Sequence, residues 1–199
     1  MSGRAVLIPV KAFGAAKGRL RGHLTDAERV RLARWTAARV LAAAAPSAVF
    51  VACDDDAVAE WAVARGARVA WGPGLGLNGA IDAAVAEIGA AGFDRVTIVH
   101  ADLPHPRGLA SVGRGDAVVL VPDRHGDGTN VLSRPTALDV PAQYGGGSFA
   151  RHLTSALATG APVTVRHDAF LSVDIDTLAD LRHPLVAPLL PTALAQVAA

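Results

Sequence analysis

The chain has 199 residues, 51% of them hydrophobic, which suffices for one sizeable core and excludes a disordered polyelectrolyte. With 19 Lys and Arg against 18 Asp and Glu, and no arginine-rich stripe, nucleic acid is not expected as a partner. A single cysteine, Cys53, excludes an intramolecular disulfide and any paired-cysteine metal site. Its place in the apolar run AVFVAC reads as a buried structural thiol. No apolar run reaches the ~20 residues of a membrane span, and no basic start leads into an apolar core, so a cytoplasmic protein with no membrane partner is expected.

In chain order, RAVLIPV (residues 4–10) reads as a strand and runs into the basic loop KAFGAAKGRL. A helix follows over TDAERVRLARWTAARVLAAAA, with Thr25 and Glu28 at capping-box spacing and Val30, Leu32, Ala33, Trp35, Ala37 and Leu41 on a buried face; Pro46 stops it. AVFVAC is a second strand, Asp54 to Asp56 cap a helix ended by Gly66, and ARVAW is a third strand. GPGLGLN is a glycine loop before a helix over residues 79–91. RVTIVH and DAVVLVPD are the fourth and fifth strands. DRHGDGTNVLSRP reads as a turn and short strand, and YGGGSFARHLTSALATG as a glycine loop opening a helix. PVTVRH and FLSVDID read as strands and TLADL as a short helix. The tail, residues 183–199, carries three prolines among Leu, Val and Ala and reads as a surface wrap or a contact with a second subunit. The alternation predicts a single α/β domain with a mixed, mostly parallel central sheet flanked by helices.

Such sheets bind ligands beyond the carboxyl ends of their strands, so the loops there carry the chemistry. In the first loop Gly14 and Gly18 allow close backbone approach, and Lys11, Lys17 and Arg19 suit a polyphosphate; the alternative is that they are solvated surface charges. Asp102 in HADLP stands just past an apolar strand, as a metal-directed carboxylate or as a turn-capping residue. Asp174 and Asp176, two apart on an expected strand, face the same way and repel unless a cation lies between them, which suits Mg²⁺; capping of the next helix is the alternative for Asp176. Gly145, Gly146, Gly147 and Ser148 precede a helix and read as an anion nest, to which Thr129 and Asn130 can add contacts. Asn78 is an N-cap or a contact to a base or ribose. The seven histidines show no metal spacing and read as structural or accessory.

The ordered set PVKAFGAAKGRL, GLGLNGAI, HADLP, DRHGDGTN, YGGGSFARHL and DIDTLADL, over residues 6–181, resembles the 2-phospho-L-lactate or phosphoenolpyruvate guanylyltransferases of coenzyme F(420) biosynthesis. The resemblance implies a nucleotidyltransferase fold of the glycosyltransferase-A kind. It also implies transfer of GMP from GTP to a small phosphorylated three-carbon acid, with release of pyrophosphate. On it, Lys17 and Arg19 hold the GTP phosphates, with Lys11, Gly14 and Asn78 also on the nucleotide. Asp102, Asp174 and Asp176 hold Mg²⁺, and Thr129, Gly145 and Ser148 cradle the acceptor. Gly18 departs from the family, which commonly has Ser there. A downstream transferase that takes the product and a second copy of the chain are further candidate partners. A nucleotidyltransferase for another acceptor, as in molybdenum-cofactor enzymes, and a non-catalytic nucleotide-binding module are the alternatives.

Overall fold

The computed structural model describes residues 3–198. Seven strands form one sheet: β1 (Arg4–Pro9), β2 (Ala48–Cys53), β3 (Arg68–Trp71), β4 (Arg95–Val99), β5 (Val118–Pro122), β6 (Thr129–Pro135) and β7 (Val163–Val165). Their order is β3-β2-β1-β4-β6-β5-β7. Four pairings are parallel, and β6 alone runs against both its neighbours, β4 and β5. The mixed, mostly parallel sheet is therefore as the alternation predicts.

Period-two side-chain alternation divides the interior. On β1, Val6 and Ile8 face a core shared with α1 (Asp26–Ala43) and α2 (Asp56–Val63). Ala5 and Leu7 face the opposite core, shared with α3 (Gly76–Ala90) and α4 (Ser148–Ala158). The expected Thr25 capping box is present: the Glu28 N–H donates to Thr25 Oγ1 at 3.3 Å, and the Thr25 N–H to Glu28 Oε2 at 2.8 Å. The expected buried face of α1 is rotated, however. Arg29, Leu32, Ala33, Thr36, Ala37 and Val40 are buried, while Val30, Trp35 and Leu41 are only partly covered. Arg29 turns inward because its guanidinium donates to the Ala16 carbonyl at 2.9 Å, tying the basic loop to α1. Cys53 is buried and free, as read. No helix among the described residues is long and apolar enough to cross a membrane.

Two expectations need correction. FLSVDID joins no ladder: it begins in a turn, where the Ser172 N–H donates to the Asp168 carbonyl at 3.0 Å and the Val173 N–H to the Phe170 carbonyl at 3.4 Å. The tail does not wrap the surface. After α5 (Leu178–Leu181), α6 (Thr192–Ala198) turns Leu194 inward, and Val186, Leu190 and Leu194 are buried with Leu20, Leu32, Val173 and Ile175 in a third core. That core lies directly behind the residues bearing Asp174 and Asp176. Leu194→Ala is expected to cost about 2–4 kcal/mol in urea unfolding. The matched change at Leu157, 60% exposed on α4, should stay within ~0.5 kcal/mol.

Candidate active site

Strands β1 and β4 end, and antiparallel β6 begins, at one edge of the sheet, since Val99 pairs with Val131. The loops leaving that edge enclose a cleft of about 720 Å³. Its walls include Lys11, Lys17 and Arg19 after β1, Asp102 after β4, and Thr129 at the head of β6. Gly145 and Ser148 at the start of α4, with Asp174 and Asp176, complete it.

Asp102, Asp174 and Asp176 converge, each with a carboxylate oxygen within 4.8 Å of the others. Their arrangement follows from a buried-exposed alternation without a ladder: Leu171, Val173 and Ile175 are buried, and Asp174 and Asp176 project between them. The Ile175 N–H donates to the Asp102 carbonyl at 3.3 Å, and Asn130 Nδ2 to the Leu171 carbonyl at 3.0 Å. Asn130 therefore braces this segment. Asp176 does not cap α5. Thr177 does, and the Asp180 carboxylate accepts the Asp176 N–H at 2.8 Å and the Thr177 N–H at 2.6 Å. Arg124, from the loop before β6, closes an ion pair onto the other Asp180 oxygen.

Lys17 is not a loose loop cation. Its side chain is 6% exposed, and the ammonium lies 3.0 Å from Asp102 Oδ2 and 3.5 Å from Asp176 Oδ1 and also donates to the Ile175 carbonyl. Its backbone is left-handed, φ 57°, a conformation non-glycine residues rarely adopt and one that aims this side chain at the acids. Arg19 sits at the rim, 75% exposed and 3.2 Å from Asp176 Oδ2. Lys11 is exposed on the cleft wall and makes no ion pair among the described residues.

Three carboxylates thus face two cations. Burial, then the charges of Asp102 and Asp176, push the Asp174 carboxyl up to about 7, with Lys17 opposing. Burial also disfavours ionised Asp102, yet the Lys17 charge and hydrogen bond, with His100 assisting, hold it below the usual carboxylate range. Asp102 Oδ1 is buried with no hydrogen-bond partner. An all-oxygen, charge-crowded donor set with an unsatisfied buried oxygen fits a hard divalent cation such as Mg²⁺.

The opposite wall differs from the expected open nest. Gly145 and Gly147 adopt positive φ, 117° and 71°, which explains two of the three glycines. The helix N-terminus is nonetheless already capped: the Gly147 N–H donates to Asp127 Oδ2 at 3.0 Å, the Phe149 N–H to the Asp127 carbonyl at 2.9 Å, and the Ser148 N–H to the Gly145 carbonyl at 3.0 Å. What faces the cleft is a pair of buried hydroxyls. Ser148 Oγ accepts the Thr129 N–H at 3.1 Å, and Thr129 Oγ1 lies 2.9 Å from His152 Nδ1. Asp123 folds the preceding loop by accepting the N–H groups of His125, Asp127 and Gly128.

Two predicted residues stand apart. Asn78 is no N-cap. It lies in the first turn of α3, and its amide exchanges two hydrogen bonds with the Tyr144 backbone, at 2.8 and 3.3 Å, so it anchors the glycine loop. Gly14 lies in an exposed 3-10 turn and does not line the cleft. Gly18 does line it, but its φ is not left-handed and a Cβ there meets nothing within 4 Å, so a Ser fits the same backbone. Sequence reasoning gives no role to Asp127 or Asp180 and reads His152 only as structural or accessory. The Asp180 role was signalled by its capping-box spacing from Thr177, and that of His152 by its i+4 spacing from Ser148.

A family model described as "Guanylyl transferase CofC like" matches residues 4–187. The phosphoenolpyruvate guanylyltransferase of Sphaerobacter thermophilus is 37% identical over 187 residues, covering 89% of this chain and 90% of that protein. The 2-phospho-L-lactate guanylyltransferase of Methanothermobacter thermautotrophicus is 33% identical over 189 residues, covering 88% and 81%. Among solved structures, a putative nucleotide-diphospho-sugar transferase from Desulfovibrio desulfuricans G20 superposes with a TM-score of 0.75 at 19% identity, covering 92% of this chain and 86% of that one. A CMP:2-keto-3-deoxy-manno-octonic acid synthetase with CTP gives 0.57 at 14% identity, covering 90% and 95%. These two share the fold.

The crowding at Asp174 has a measurable sign. A carboxyl held near 7 in the folded chain but titrating at its ordinary acidic value when unfolded destabilises the fold increasingly as pH rises between those values. In EDTA, Asp174→Asn is expected to raise unfolding free energy at pH 8 by on the order of 1–2 kcal/mol, with the gain vanishing towards pH 4. Denaturant titrations of both proteins at the two pH values check this.

Proposed function

The chain belongs to the family of CofC-like guanylyl transferases, and from that premise we propose that it transfers GMP from GTP to phosphoenolpyruvate or 2-phospho-L-lactate. An oxygen of the acceptor's phosphate attacks the α-phosphorus of GTP, the bond to the β-phosphate's bridging oxygen breaks, and pyrophosphate departs. No covalent enzyme nucleophile is needed; bringing two anions together is the main obstacle.

The observation that carries this reading is the juxtaposition, across one cleft, of a carboxylate cluster threaded by a buried Lys and a pair of buried hydroxyls. Asp102, Asp174 and Asp176 are the residues to hold Mg²⁺, which when bound supplies charge neutralisation at the phosphates. Lys17 lies within reach of the same phosphates and offsets charge building on the departing pyrophosphate. Arg19 and Lys11, at the rim and on the wall, hold the outer phosphates of GTP. Thr129 and Ser148 donate their hydroxyl protons to the acceptor's anionic groups, and Gly145 gives the backbone room for it. A cytoplasmic location and a downstream transferase as recipient of the product belong to the same proposal.

The test is pyrophosphate release from GTP and Mg²⁺ with each acceptor separately, with ATP and CTP controls, and with and without the downstream transferase. Release that requires GTP and one acceptor is expected. Asp102→Asn should lower the rate at least about 10³-fold under conditions where circular dichroism shows the variant folded, and its unfolding free energy should fall because Lys17 loses a paired charge. Silence with both acceptors even when the downstream transferase is present overturns the reading, and rates near wild type in Asp102→Asn overturn the metal assignment.

A further inference from the structure

His152 lies in α4, completely buried, one helical turn beyond Ser148. Its two ring nitrogens have different neighbours. Nε2 lies 2.9 Å from the backbone nitrogen of Gln143, which can only donate. Nε2 must therefore be the bare, accepting nitrogen, and in a neutral ring the proton resides on Nδ1. Nδ1 in turn lies 2.9 Å from Thr129 Oγ1, so this bond runs from the imidazole to the hydroxyl. A hydroxyl that accepts there keeps its own proton to donate, and Thr129 Oγ1 has no other hydrogen-bond partner among the described residues while lining the cleft. Burial, aided by His100 and Arg151, holds the imidazole down to about 4, so the ring stays neutral at working pH. Tyr144, packed against the ring at 4.6 Å between centroids, fixes its plane.

We infer that His152 is a positioning residue for the acceptor: fixed as the Nδ1–H tautomer by the Gln143 N–H, it turns the Thr129 hydroxyl proton into the cleft as a ready-made donor to the acceptor's anionic group. The neighbouring Ser148 hydroxyl is set in the same sense, since the Thr129 N–H occupies one of its lone pairs. Each hydroxyl thereby keeps its proton free to donate before any ligand arrives, and less rotor entropy is lost when it binds. This rests on the reading above that the acceptor lies at Thr129.

The two nitrogens can be replaced one at a time. Asn at residue 152 keeps an N–H near the Nδ1 position and forfeits the Gln143 contact. Gln keeps an acceptor near the Nε2 position and forfeits the Thr129 contact. His152→Asn is expected to leave the acceptor KM within about threefold of wild type. His152→Gln should raise it roughly tenfold, the factor a bond worth ~1.4 kcal/mol supplies, with the GTP KM unchanged. In a Thr129→Val background His152→Gln should have no further effect, because its action passes through the missing hydroxyl. Equal losses in the Asn and Gln variants, a parallel rise in the GTP KM, or additive effects in the double variant would assign His152 to packing alone. If either variant fails to fold, ¹⁵N-histidine spectra of the wild type decide the point. A ring protonated on Nδ1 that does not titrate between pH 6 and 8 is expected, and an Nε2–H ring overturns the inference. A wild type silent with both acceptors rejects the functional reading itself, whereas an active wild type with additive variants rejects only the role of His152.

Discussion

The contact of the Lys17 ammonium with Asp102 and Asp176 sets the terms for the rest of the site. An ammonium on so buried a side chain survives only with paired charge, and three close carboxylates survive only with a cation among them. Each half of the arrangement makes the other tolerable. The cost falls on Asp174, which lacks a cation of its own. The chain can form this cluster because β1 and β4 are adjacent and parallel, so the residues that follow them leave the sheet side by side. A left-handed residue at Lys17 then turns the side chain back over the sheet edge.

Several further contacts serve that one. Arg29 holds the loop at Ala16, one residue before Lys17. Asp180 holds the backbone at Asp176 and is itself held by Arg124, so the loop ahead of β6 and the acid-bearing segment are latched to each other. Asn130 and Ile175 fasten the same segment to β6 and to Asp102. The two walls of the cleft are therefore parts of one hydrogen-bonded frame, which suits chemistry that depends on charge placed in advance.

The sheet, the capped helices and the acid triad were legible because each has a local signature: alternating β-rich and helical runs, Thr25 with Glu28, and Asp174 two residues from Asp176. The misread parts are those in which tertiary contact overrides local pattern. FLSVDID alternates like a strand, but it starts in a turn and forms no ladder, because that depends on an available edge, which no local pattern encodes. Arg29, outside the expected apolar face of α1, is buried with its guanidinium donating to the Ala16 carbonyl. The glycine run before α4 reads as an anion nest, yet the N–H of its last glycine, Gly147, is engaged by Asp127, twenty residues earlier in sequence. Asn78 reads as a cap or as a contact to a base or ribose, and its amide is engaged by the Tyr144 backbone, sixty-six residues away.

The third core gives the carboxylates an unusual footing. Val173 and Ile175, which alternate with Asp174 and Asp176, are packed among Val186, Leu190 and Leu194 from the tail. The spacing of these two oxygen donors is thus set by apolar packing, without the regular repeat of a β-ladder. Methylene-sized changes in that core, remote from the cleft, translate into tenths of an ångström between carboxylates. The separation of two carboxylates in the cleft is therefore tied to the packing of an apolar tail that does not itself line the cleft.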